Sequence, residues 1–266
     1  MRRTDPTRRK TLGIVAIAFA LAACSSGSSS GNTSAGQGGT LTVFGGSSLT
    51  AAFTKIGADF EAANPGTHVT FNFGPSDGLA QQIESEGTAD VFASASGTWM
   101  DDVQKKVGVT DRADFAKNRL VIITPPDDPA NVRSLADLGR PGVQLVLAAP
   151  GVPVGDYARQ ALDQAGISKE VLANVVSNEQ DDASLVAKIT AGEADAAIVY
   201  SSDVTEQVSP DVKAIEIPVQ ANVIATYPIG VVDGAAQPAL AARFVAYVTG
   251  PSGQATLKAY GFLPPG

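Results

Sequence analysis

Histidine and cysteine are almost missing from this chain, with one of each, His68 and Cys24, in 266 residues. A single cysteine excludes a disulfide within the chain. A single histidine excludes a metal centre built on imidazoles and leaves only carboxylates as ligands. The acidic pairs Asp101-Asp102, Asp127-Asp128 and Asp181-Asp182 are sequence neighbours. That spacing puts both side chains on one face of neither a helix nor a strand, so the pairs read as solvated or helix-capping acids. Charge is sparse too, at 17% against 44% hydrophobic residues, and a sizeable core is expected. The apolar run near the start, Thr11 to Ala20, is too short to span a membrane.

That run follows Arg2, Arg3, Arg8, Arg9 and Lys10 and precedes Leu21-Ala22-Ala23-Cys24. Residues 1–23 therefore read as a lipoprotein signal peptide. The last four of these residues resemble the lipobox of bacterial lipoproteins, which implies a lipid anchor on Cys24 and an extracytoplasmic, membrane-tethered protein. Residues 24–39 are nearly all small and polar and read as a flexible Gly/Ser tether. Losing residues 1–23 takes away five basic and one acidic residue of 19 and 27, leaving 14 against 26, a net of −12. A nucleic-acid partner is thereby disfavoured. Any anion site has to work through local dipoles and hydrogen bonds.

The stretch Leu41 to Thr50 reads as a buried strand, a turn at Gly45-Gly46, and a helix capped by Ser47 or Ser48 with Leu49, Phe53, Ile56 and Phe60 on its apolar face. Similar units recur. A strand over His68 to Phe73 leads through Gly74-Pro75-Ser76-Asp77-Gly78 into a helix. A strand over Val143 to Ala148 leads through Pro150 to Gly155 into a helix from Asp156. Further strands are expected at Ala89–Ala95, Asn118–Thr124, Ala194–Tyr200, Lys213–Pro218 and Tyr227–Val232, and a helix at Asp181–Thr190. Strands alternating with helices imply an α/β fold of parallel sheets with helices on both faces. Ligands of such sheets bind beyond the carboxyl ends of the strands, where helix N-termini offer free N–H groups and partial positive charge. The motif Gly74 to Gly78 matches the nucleophile elbow of serine hydrolases. The only histidine precedes Ser76, so a triad in that chain order is impossible.

The chain resembles the molybdate-binding proteins of bacterial ABC importers. The resemblance is carried by Val43-Phe44 through Thr50, Phe73 through Ile83, Ala89 through Ala95, Trp99-Met100, Asn118 through Val121, Val152 through Ala158, Gly192 through Asp203, Tyr227-Pro228-Ile229 and Tyr260-Gly261-Phe262. It implies a two-lobe periplasmic-binding-protein fold, each lobe a mainly parallel sheet flanked by helices, with the ligand cleft between them. The first lobe would hold residues 40–118 with 229–266 and the second 119–228, hinged near Asn118–Arg119 and Tyr227–Pro228. It further implies that Ser48 and Ser76 offer a hydroxyl and a main-chain N–H, Val154 and Asp182 a main-chain N–H, and Tyr200 its phenol. These are neutral donors suited to a tetrahedral dianion. The chain departs from the family's usual residues at Gly45-Gly46-Ser47, at Asp77 and at Asp182; Asp77 is expected to face solvent or cap its own helix. The implied protein is a monomeric, non-enzymatic binder of molybdate or tungstate that needs no cofactor and delivers its ligand to an ABC permease. The alternatives are a phosphate or sulfate binder of the same fold and, less favoured, a hydrolase at Ser76.

Overall fold

The computed structural model describes residues 38–266. The signal peptide, the lipobox with Cys24 and most of the tether lie outside the described residues.

Nine strands form one mixed sheet in two halves. Strands β1 (Thr40–Gly46), β2 (His68–Gly74) and β3 (Val91–Ala93) pair in parallel, with β1 in the middle. Their helices are α1 (Thr50–Ala63), which follows a 3-10 turn at Ser47–Leu49, α2 (Ser76–Glu86) and α3 (Gly97–Lys106). In the other half β5 (Leu145–Ala148) lies between β6 (Val175–Glu179) and β7 (Ala196–Tyr200), again in parallel. Helices α4 (Pro153–Gln164), α5 (Ser168–Leu172) and α6 (Asp182–Thr190) accompany it. Parallel pairing thus holds in each half. The strands that connect the halves run antiparallel to their neighbours.

One strand joins the halves. β4 (Val109–Thr124) is 16 residues long. Its first part, to Arg119, pairs with β9 (Ile224–Val232), which also pairs with β3. From Leu120 onward it pairs with β7, and from Val121 also with β8 (Lys213–Glu216). The expected strand Asn118–Thr124 is only the second part of β4. The first part was hidden by Asp111, Arg112 and Asp114 and by two register shifts, which break the alternation that marks a strand.

Unlike the partly exposed edge strands β2 and β6, strands β3, β5 and β7 are buried along their whole lengths. Their sequences are accordingly apolar runs without alternation. Over the first half, α1 and α7 (Pro238–Thr249) close on the sheet through Phe53, Phe60, Phe115 and Phe244. Phe60 meets Phe244 edge-on at 5.2 Å and Phe53 meets Phe115 at 5.5 Å. Each such ring removes enough apolar surface from water to contribute about 1.5–3 kcal/mol. The last helix, α8 (Pro251–Ala259), packs on α7 and α1.

Gly45 and Gly46 are the end of β1 rather than a turn. Gly46 is needed for close approach: a Cβ there would sit 3.2 Å from both Ser76 Oγ and Ala95 Cβ. Gly155 serves the other half in the same way. A Cβ there would lie 2.5 Å from the Ala148 carbonyl oxygen, so only glycine lets α4 start against the end of β5.

Candidate functional site

All six parallel strands point their carboxyl ends at one place. A small cavity of about 10 Å³ lies there. Each strand contributes a residue at or just past its end: Ser47 after β1, Ser76 after β2, Ala95 after β3, Pro153 after β5, Asp182 after β6, and Tyr200 closing β7. The strand–turn–helix units read from the sequence therefore converge.

The helix N-termini at this cavity are mostly uncapped. No side chain caps α2 or α4, and at the 3-10 turn Ser47–Leu49 the Ser48 N–H meets only the Asp182 carboxyl from the other half. α6 is capped by the Asp181 carboxylate, which accepts from the Ser184 N–H at 2.7 Å, and α3 by Ser96 Oγ, which accepts from the Thr98 N–H at 3.2 Å. Ser47 and Ser48 thus do not cap as expected. Uncapped N–H groups beside a buried cavity need an acceptor, and the helix field makes an anion the favoured one.

The hydroxyl groups are held for donation. Ser76, 1% exposed, accepts the Ala95 N–H at 3.0 Å, which leaves its own proton to give. Ser48 pairs with the Tyr227 phenol at 2.9 Å. Asn118 Nδ2 donates to Tyr227 at 3.4 Å and to Ser202 Oγ at 2.8 Å, and so ties the point where β4 changes partners to the wall of the site. Tyr200 is fully buried and its Oη has no hydrogen-bond partner among the described residues. Burial, with the neighbouring Tyr227 and Asp182 adding to it, pushes the Tyr200 phenol well above its ordinary pKa. It stays a neutral donor.

Asp182 was expected to offer only its main-chain N–H. The residue lines the cavity, is only 6% exposed, and has its carboxyl group close to the Ser48 N–H. Burial, then the charge of Asp181, raises this carboxyl to about 7, against the pull of the Ser48 bond. Asp203 is the second acid of the region. It accepts the Tyr200 N–H at 2.9 Å, and burial followed by the charge of Asp182 raises it well above the carboxylate range.

Of the five residues implied by the resemblance, Ser76, Asp182 and Tyr200 line the cavity. Ser48 lines the adjoining crevice with Asp182. Val154, wholly buried, follows the lining residue Pro153. Asp77 corrects an expectation. It neither caps α2 nor faces solvent freely: it is half-buried, its Oδ1 is enclosed without a hydrogen-bond partner, and it does not line the cavity. Ser47 lines the cavity as well; Ala95 was not foreseen as a lining residue, nor were two contacts that cross the cleft. Trp99 Nε1 donates to the Gly151 carbonyl at 2.9 Å, and the Tyr157 phenol lies beside Ser96 and the Thr226 backbone. Among the described residues no group of three or more His, Cys, Asp or Glu could hold a metal ion.

Residues 41–263 match the family of bacterial extracellular solute-binding proteins. The molybdate-binding protein ModA of Mycobacterium tuberculosis is 40% identical over 248 residues, 92% of this chain and 93% of the relative. The ModA of Escherichia coli is 33% identical over 245 residues, 87% of this chain and 91% of the relative. Among solved structures, the periplasmic molybdate-binding protein of Azotobacter vinelandii superposes with a TM-score of 0.76 at 19% identity, over 85% of this chain and all 100% of that one. That likeness concerns the fold alone. The curated relatives are named as binding proteins. With the converging strand ends, the match over residues 41–263 identifies the family: this chain is a bacterial extracellular solute-binding protein.

Proposed function

We propose that the cleft captures molybdate or tungstate outside the cytoplasm and hands it to the permease of an ABC importer. The observation that carries this reading is the Tyr200 hydroxyl, buried and without a partner, on the wall of a cavity ringed by uncapped helix N-termini. A buried donor left unmade costs about 1–3 kcal/mol. A tetrahedral dianion, which only accepts, meets this need together with Ser48, Ser76, Val154 and the Asp182 N–H. The 40% and 33% identical relatives named for molybdate point to the same ligand. We place the lobe boundaries at 40–118 with 229–266 and 119–228, with the hinge where β4 changes partners near Asn118–Arg119 and in β9 near Tyr227–Pro228. The protein is proposed to act as a monomer tethered through a lipid on Cys24.

Isothermal titration of the purified protein with molybdate, tungstate, sulfate and phosphate tests the reading. Molybdate and tungstate are expected to bind far more tightly than the other two. One observation favours phosphate as a second reading: Asp182 puts a carboxyl acceptor on the cavity wall, where it could take the proton that phosphate carries near neutral pH. Tight phosphate binding that collapses in Asp182→Asn would establish that alternative.

A further inference from the structure

The acid on the cavity wall has a consequence for how the cleft takes an anion. We propose that capture of a dianion here takes up one proton onto the Asp182 carboxyl group, which then donates to the ligand instead of repelling it. The inference rests on the oxyanion reading of the cleft and adds a pH-dependent partner to it.

Asp182 is buried in the same small cavity as Ser76 and Tyr200 and engages the Ser48 N–H, a group an incoming anion would use. A carboxylate and a dianion in one water-poor cavity repel strongly unless a cation stands between them. The elements packed against α6 supply none. The 3-10 turn at Ser47–Leu49 and strand β5 carry no titratable side chain. Tyr200 of β7 and Tyr227 of β9 are neutral phenols. Glu179 of β6 accepts from Ser177 Oγ at 2.5 Å, and Asp203 accepts the Tyr200 N–H. Arg119 of β4 is paired with Glu216 at 3.0 Å. On α6 itself Lys188 is paired with Glu193 at 2.8 Å, and Asp181 is spent on the helix cap. Protonation is the remaining way to remove the repulsion, and it turns an acceptor into an O–H donor within the donor set.

The unliganded carboxyl already titrates at about 7. A bound dianion raises it further, so above that pH binding must draw a proton from solvent. By linkage the affinity is flat in acid and falls by up to about tenfold per pH unit above neutrality, until the acid of the complex itself ionises.

The test is titration of the purified protein with sodium molybdate at about pH 6 and about pH 8, each in buffers of low and high ionisation enthalpy. The wild type is expected to take up close to one proton per molybdate at about pH 8 and nearly none at about pH 6. Asp182→Asn is expected to bind without proton uptake and with an affinity that no longer depends on pH. Molybdate binding without proton uptake in the wild type overturns this inference and leaves the oxyanion reading standing. That measurement needs no variant. Uptake that survives in Asp182→Asn and disappears in Asp203→Asn also overturns it, by assigning the proton to the other acid. No molybdate binding at any pH overturns the oxyanion reading and this inference with it.

Discussion

The N-termini of α2 and α6 hold corresponding places in the two halves, each just past the end of a parallel strand and each facing the cavity. They are built differently. α2 begins with Ser76 and has no side-chain cap, and its serine turns aside to take the Ala95 N–H. α6 is capped by Asp181 and sets the Asp182 carboxyl on the wall. The first half therefore presents only neutral donors, while the second presents donors and an acid. A helix N-terminus does not define an anion site by itself. What occupies its free N–H groups decides whether the terminus is open to a ligand or already satisfied by its own chain.

Substitutions at each end should separate these roles. Ser76→Ala is expected to do the most damage, because it removes a ligand donor and strands the buried Ala95 N–H. Molybdate affinity and thermal stability should each fall by about 1–3 kcal/mol, measured by titration calorimetry and by melting. Tyr200→Phe sharpens the contrast. Its hydroxyl has no partner among the described residues, so affinity should fall by about 1–3 kcal/mol while the melting temperature holds. A melting temperature that drops with the affinity would show that the phenol serves the fold.

In the second half, Asp182→Asn should raise stability at about pH 8, by on the order of 2 kcal/mol. The folded-state pKa of Asp182, about 7, lies above its ordinary value of 3.8. The cost of its burial is absent below the ordinary value, grows as pH rises through that window, and is complete above it. The advantage of the variant should thus shrink in melts taken at lower pH and disappear near pH 4. Asp181→Ala removes the side-chain cap of α6 and should cost about 1 kcal/mol at any pH above the carboxylate range, with little change in molybdate affinity. A large loss of affinity would mean that the cap positions the Asp182 N–H for the ligand.

Much of this was legible in the sequence, and the reasons are local. Leu41 to Phe44, Val143 to Ala148 and Ala194 to Tyr200 are apolar runs of strand length, and each appears as a buried strand. Gly74-Pro75-Ser76 and Val152-Pro153 mark helix starts because proline suits the first turn, where its missing N–H costs nothing. The start of β4 was not legible, since Asp111, Arg112 and Asp114 interrupt its pattern. The short α5 carried no periodic signal of its own.

The sequence alone determined the alternation of strands and helices, the placing of small and polar residues at the strand ends, and the scarcity of groups that could run metal or triad chemistry. These follow from the spacing of residues a few positions apart. Only the tertiary structure decided that Ser76 serves Ala95 instead of its own helix, that the Tyr200 hydroxyl is left free, and that Asp182 meets the Ser48 N–H. Those partners lie far apart in the chain, as Ser48 and Tyr227 do at a separation of 179 residues. A short polar side chain can satisfy its own turn or a distant group equally well. The choice is made when the sheet brings the distant group within hydrogen-bond reach.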